Sequence, residues 1–119
     1  MKLLIIDSDP MVLKSLETML AKEKDITVLG SVGDVIKALD LCRDNEPTGM
    51  LMAICTNNIN GINLIKSYYP NVKIIIAINF PATPATENQV LHLGADGYIE
   101  KTDDVLTMIK NLRKLMIEN

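Results

Sequence analysis

Leu3-Leu4-Ile5-Ile6-Asp7-Ser8-Asp9-Pro10 is an apolar run that ends abruptly in charge. Lys2 to Ile6 reads as an inner strand, with no polar alternation to mark a solvent face. Asp9-Pro10 reads as a helix start. An aspartate caps free backbone N–H groups, and proline suits the first helical position. Met11, Val12, Leu13, Leu16, Met19 and Leu20 follow at helical spacing, up to the charged stretch Lys22 to Asp25.

The same strand-then-helix phrase recurs along the chain. Ile26 to Leu29 is a second strand, closed by Gly30. A helix from about Gly33 to Asp44 carries Val35, Ile36, Leu39 and Cys42 on one face, and Pro47 and Gly49 break the chain after it. Met50 to Ile54 is an unbroken apolar strand. Asn57-Asn58-Ile59-Asn60-Gly61 is turn-rich, and a short helix runs from Ile62 to about Tyr68. Lys73 to Ile78 is the fourth strand. Pro84 opens a helix to about Leu93, with Gly94 as its C-terminal cap. Gly97 to Lys101 is the fifth strand. Thr102 or Asp103 caps a last helix bearing Val105, Leu106, Met108, Ile109, Leu112, Leu115 and Met116.

Strict alternation implies an α/β fold: a doubly wound, five-stranded parallel (βα)5 sheet with helices on both faces. Residues 1–119 are read as a single domain. Sites in such folds lie beyond the carboxyl ends of the strands, where Asp7, Ala53, Ile78 and Lys101 fall.

Composition narrows the function. Apolar residues make up 48% of the chain, yet no run approaches the ~20 residues of a membrane span. No signal peptide is legible, so the expectation is a soluble, cytoplasmic protein. The net charge of −3 and the few aromatics give neither a basic grip nor a stacking platform, which argues against direct nucleic-acid or membrane binding. Cys42 and Cys55 lack the spacing of a zinc site and read as packed free thiols. His92 is given no catalytic role.

Gly94-Ala95-Asp96-Gly97-Tyr98 through Lys101, the Leu4-Ile5-Ile6-Asp7 strand before Asp9-Pro10, and the Asn60-Gly61 turn resemble the receiver domain of bacterial two-component response regulators. The flavour is that of the NarL/LuxR-type subgroup. The resemblance implies a CheY-like, flavodoxin-like fold with strand order 2-1-3-4-5. It also implies a phosphorylation site: a carboxylate ending the third strand, two acids binding Mg²⁺ after the first, a hydroxyl ending the fourth and a lysine ending the fifth. Asp7 and Lys101 match that pattern. Ser8 replaces the second acid, Ala53 the phosphoacceptor and Ile78 the hydroxyl. Cys55 falls where the family offers a backbone carbonyl to the metal.

An acyl phosphate needs a carboxylate nucleophile, and Mg²⁺ wants hard, mostly charged oxygen ligands. The expectation is therefore a pseudo-receiver: no enzyme, no catalytic residue, and no cofactor, with Mg²⁺ binding weak or absent at Asp7 and Asp9. Asp7 and Lys101 sum to zero charge and can satisfy each other, with Asp9 engaged in capping. Tyr98 matches the family's switch-like aromatic and also reads as a half-buried core residue. Expected partners are proteins: a homodimer through the last helix and its neighbouring surface, where Met108 and Met116 suit an adaptable contact, and a C-terminal DNA-binding output domain. Two alternatives stay open. The vacated cleft could sense a small ligand or anion through Lys101 and the mouth residues Asn57, Asn58, Asn60 and Asn79, or another acid could still take a phosphoryl group.

Overall fold

The computed structural model describes residues 1–53, 61–101 and 104–117. The strands are β1 (Lys2–Ile6), β2 (Thr27–Val32), β3 (Gly49–Ala53), β4 (Lys73–Ile78) and β5 (Gly97–Glu100). Between and after them run helices α1 (Pro10–Ala21), α2 (Val35–Asn45), α3 (Gly61–Tyr68), α4 (Thr86–His92) and α5 (Val105–Ile117). All strand pairs are parallel, in the order β2-β1-β3-β4-β5. This is the doubly wound, flavodoxin-like arrangement that the alternation predicts.

Side-chain alternation splits the core between the two faces of the sheet. Leu4, Ile6, Met50, Met52, Ile74 and Ile76 pack beneath α2, α3 and α4. Leu3, Ile5, Leu51, Ile75 and Ile99 pack beneath α1 and α5, against Leu16, Leu20, Met108, Ile109 and Leu112. The three central strands are almost wholly buried, which is why their sequences carry no alternation.

Several boundaries differ from the sequence reading. β2 does not stop at Gly30 but continues to Val32. Gly30 sits where the β1–β2 register slips, and β1 goes on pairing through Ser31 and Val32. α2 begins at Val35, after Gly33, because Asp34 caps it by accepting from the Lys37 N–H at 2.9 Å. α4 begins at Thr86 instead of Pro84. The buried Thr86 hydroxyl accepts from the Thr83 N–H at 2.8 Å and holds the preceding turn out of the helix.

Helix faces also needed correction. Ile36 is not on the inner face of α2. It is 64% exposed, and Ala38 takes the buried place with Val35 and Cys42. Met108 is buried in the core. Met116 packs on the same core, its Cε 2.6 Å from where a β-carbon on Gly49 would stand. Neither is a free contact residue. The apolar excess of α5 lies at its ends, in Val105, Leu106 and Ile117. Asp104 caps α5, accepting from the Thr107 N–H at 2.8 Å. The expected caps Thr102 and Asp103 lie outside the described residues, as do Ile54, Cys55, Asn57, Asn58 and Asn60. Gly94 closes α4 with φ +95°, as its sequence position predicts.

Candidate functional site

The carboxyl ends of β1, β3, β4 and β5 meet along one edge of the sheet. Pairing of Ile6 with Met52 and of Ala53 with Ala77 brings Asp7 level with Ala53. The Asp7 N–H donates to the Val32 carbonyl at 3.0 Å, which holds the residue in line beyond β1. The Lys101 N–H donates to the Ile78 carbonyl at 2.7 Å and anchors the lysine beyond β5.

Both oxygens of Asp7 are engaged. Oδ1 accepts from the Asp9 N–H at 2.9 Å, and Oδ2 accepts from Lys101 Nζ at 3.0 Å. The Asp7 side chain is 8% exposed and that of Lys101 21%. A carboxylate this buried is stable only when paired, and here the pair is direct.

Among the described residues no further charged side chain pairs with Asp7 or Lys101. Ser8 is exposed and neutral. Asp9 turns its carboxylate onto the Met11 N–H at 2.9 Å and caps α1, as the sequence predicts. Ala53 brings only a methyl group. Ile78 is 1% exposed and belongs to the core cluster with Met52, Ile76 and Val90. Among the described residues no group of three or more His, Cys, Asp or Glu side chains converges as a metal site would require. Asn79 is exposed beside this edge.

Tyr98 is half-buried. Its ring packs on the core and lines a hollow of ≈ 400 Å³ on β5, with Val90, Leu91, Lys114 and Leu115 around it. Next along the strand, Glu100 accepts from the Ala82 N–H at 2.9 Å and ties the loop before α4 to β5. Sequence reasoning passed over Glu100. The available signal was an acid directly before Lys101 in a strand otherwise read as apolar.

Two further contacts were not foreseen. Asp96 accepts from the Ile74 N–H at 2.8 Å and pairs with Lys66 at 2.6 Å, fastening the turn before β5 to β4 and α3. Arg113 of α5 clamps Glu23 and Asp25 beyond the end of α1. That guanidinium holds the Asp25 carboxyl down at about 2, and the two acids raise Arg113 in return. Cys42 is buried, and desolvation pushes its thiol above the ordinary range, away from reactivity.

The response regulator receiver domain family matches residues 3–113. The chain belongs to that family. A curated relative, the transcriptional regulatory protein LnrK of Bacillus subtilis (strain 168), is 28% identical, covering 92% of this chain and 50% of LnrK. The chain thus spans about half the length of the curated relatives it matches. The receiver domain of the response regulator NarL from Mycobacterium tuberculosis superposes with a TM-score of 0.83 at 18% identity, covering 99% and 97% of the two chains. A LuxR-family DNA-binding response regulator from Staphylococcus aureus gives 0.80 at 17%, covering 97% and 98%. At such identities these two establish the fold alone. The protein is therefore a receiver domain of the two-component response-regulator kind, with neighbours of the NarL/LuxR type. Among its described residues no helix is long and apolar enough to cross a membrane.

Proposed function

We propose that this receiver domain regulates through protein contacts and is not switched by phosphorylation. The observation that carries the reading is the closed Asp7–Lys101 pair beside Ala53. A receiver that accepts a phosphoryl group needs a carboxylate at Ala53, and a methyl group forms no acyl phosphate. It also needs Mg²⁺ to gather the oxygens. The residues present do not fit that ion. Asp7 has both oxygens hydrogen-bonded, Ser8 is neutral, and the Asp9 carboxylate caps a helix. Lys101, which would hold the phosphoryl group, already holds Asp7.

On this reading the domain is no enzyme, and no step of phosphotransfer runs through its cleft. Its output is a surface. The curated relatives are transcriptional regulatory proteins about twice its length. That supports a role as the regulatory half of a transcription factor, acting on an attached DNA-binding domain. The test is the intact mass of the protein after incubation with a small phosphodonor and Mg²⁺. The expected mass is unchanged. A stoichiometric phosphoryl increment overturns the proposal, and peptide mapping would then locate the carboxylate that took it.

A further inference from the structure

At the amino end of the sheet, opposite the Asp7–Lys101 edge, α2 and α3 both finish beside the segments that lead into β3 and β4. A hollow of ≈ 410 Å³ lies there, within the size range of small-ligand sites. Tyr68, Tyr69, Pro47 and Pro70 give it aromatic and apolar walls, and Glu46 and Arg43 give it a charged rim. The walls are held in place by the fold. The Tyr69 N–H donates to the Ile65 carbonyl at 2.7 Å, the Val72 N–H donates to the Tyr69 carbonyl at 3.2 Å, and the two prolines fix their own φ.

The rim carries a strained residue. Among the described residues Glu46 is the one non-glycine with positive φ, at φ 48° and ψ 61°. Its N–H donates to the Cys42 carbonyl at 3.3 Å and closes α2. Glycine or asparagine is the usual residue at such a helix end, because a β-carbon is strained there. Here a costly backbone conformation sets an acid at the mouth of a hollow, and strain of this kind gathers at functional sites. Charge then selects the ligand. Arg43 pairs with Asp40 at 3.2 Å, and the Lys66 ammonium is engaged by the Val72 carbonyl at 2.7 Å and by Asp96. Among the described residues Glu46 has no cationic partner, and the hydroxyls of Tyr68 and Tyr69 have no hydrogen-bond partner. The carboxyl ends of two helices add partial negative charge on the same side, and tyrosine faces attract cations.

We propose that this hollow binds a small organic cation, an ammonium or guanidinium group carried on an apolar body. The charged head meets Glu46 and the helix ends, and the apolar body lies against Tyr68 and Tyr69. The site is at the far end of the strands from Ala53, so the inference holds whether or not the domain can be phosphorylated.

The probe is phenylethylamine, protonated at neutral pH, with phenylacetate as its anionic counterpart of like size. Each is titrated to millimolar concentration into nitrogen-labelled protein at low salt, where charge is least screened. The amine is expected to shift the amides around Glu46 and Tyr69 saturably, and phenylacetate to leave them in place. Glu46→Gln should weaken the amine about threefold or more. Glu46→Gly should weaken it likewise and also raise the melting temperature, since glycine takes the left-handed backbone without strain. Tyr68 is 68% exposed, and Tyr68→Ala should weaken the amine about threefold through loss of the ring. Unchanged melting curves for Glu46→Gln and Tyr68→Ala would show that both variants fold. No saturable shift, equal binding of phenylacetate, shifts centred on Asp7 and Lys101, or an affinity that Glu46→Gln leaves unaltered would overturn the proposal.

Discussion

Lys101→Met removes the ammonium from the cleft and keeps most of the stem. At 3.0 Å from Asp7 the ionic attraction is about 5–6 kcal/mol at the effective dielectric constant of ~20 that suits protein sites. Desolvation of the two groups offsets much of it. The variant does not simply forgo the remainder, however. It leaves a carboxylate that is only 8% exposed with the Asp9 N–H as its described donor. Breaking a fully buried pair costs about 3–5 kcal/mol. Lys101 is 21% exposed, and water entering at its place softens the loss, so the expected destabilisation is about 2–4 kcal/mol at neutral pH. Urea denaturation measures it directly. The double variant Asp7→Asn, Lys101→Met should recover most of the loss, since neither charge remains to be satisfied. A single variant costing less than about 0.5 kcal/mol, or a double variant as unstable as the single, would refute the pairing argument. Lys101 would then be a free cation awaiting an anion.

Three other perturbations test different parts of the structure. Gly61→Ala places a β-carbon 2.5 Å from Cγ2 of Val35, a stiff β-branched side chain. The expected cost is about 1–3 kcal/mol, seen as a lowered melting temperature that Val35→Ala partly restores. Asp25 is held at about 2 from its ordinary 3.8, so its contribution is present above pH 3.8 and lost as the pH falls towards 2. Arg113→Gln should flatten the melting-temperature profile within that window, and added salt should do so more weakly in the parent protein. The pair Ser8→Asp, Ala53→Asp rebuilds the acidic cluster. Millimolar Mg²⁺ should raise the melting temperature of that variant and leave the parent nearly unchanged, binding at a hundredfold excess over Kd being worth about 2.7 kcal/mol.

The central strands were legible because burial on both faces writes them as unbroken apolar runs. Lys2–Ile6 and Lys73–Ile78 stand where the sequence places them. The Asp9-Pro10 helix start was legible for a local reason, since cap and proline act within one turn. Boundaries set by partners were not. β2 runs past Gly30 because β1 continues beside it, and nothing within Ile26 to Leu29 records that neighbour. Nor does helical spacing alone rank an isoleucine against an alanine. Ala38 faces the sheet while Ile36 faces solvent, because the contact with the strands fixes the rotation of α2.

The site divides along the same line. The expectation that Ser8, Ala53 and Ile78 replace the family's acids and hydroxyl rests on residue identity within the resemblance. The pairing of Asp7 with Lys101 follows from charge counting, since these are the two ionisable residues of the family pattern that the chain retains. Glu100, Asp96 and Arg113 escaped notice because each acts across the fold, on the Ala82 N–H, the Ile74 N–H and the Glu23–Asp25 corner respectively. No local pattern marks an acid whose partner lies many residues away.

The energetics of the cleft connect these observations. Three carboxylates crowded at one sheet edge repel one another, and a divalent cation normally relieves that repulsion. Here, among the described residues, one buried carboxylate faces one ammonium. The sheet beneath does not register the change. Ala53 and Ile78 extend the apolar surface of β3 and β4 to their last residues, and the core clusters run beneath them unbroken. On the proposed reading, a cleft without these acids has neither the repulsion nor the need for an ion, while the scaffold that displays α1, α4 and α5 is unaffected. On the proposed reading the cleft holds a single neutralised ion pair, and control of the domain passes to its outer surfaces.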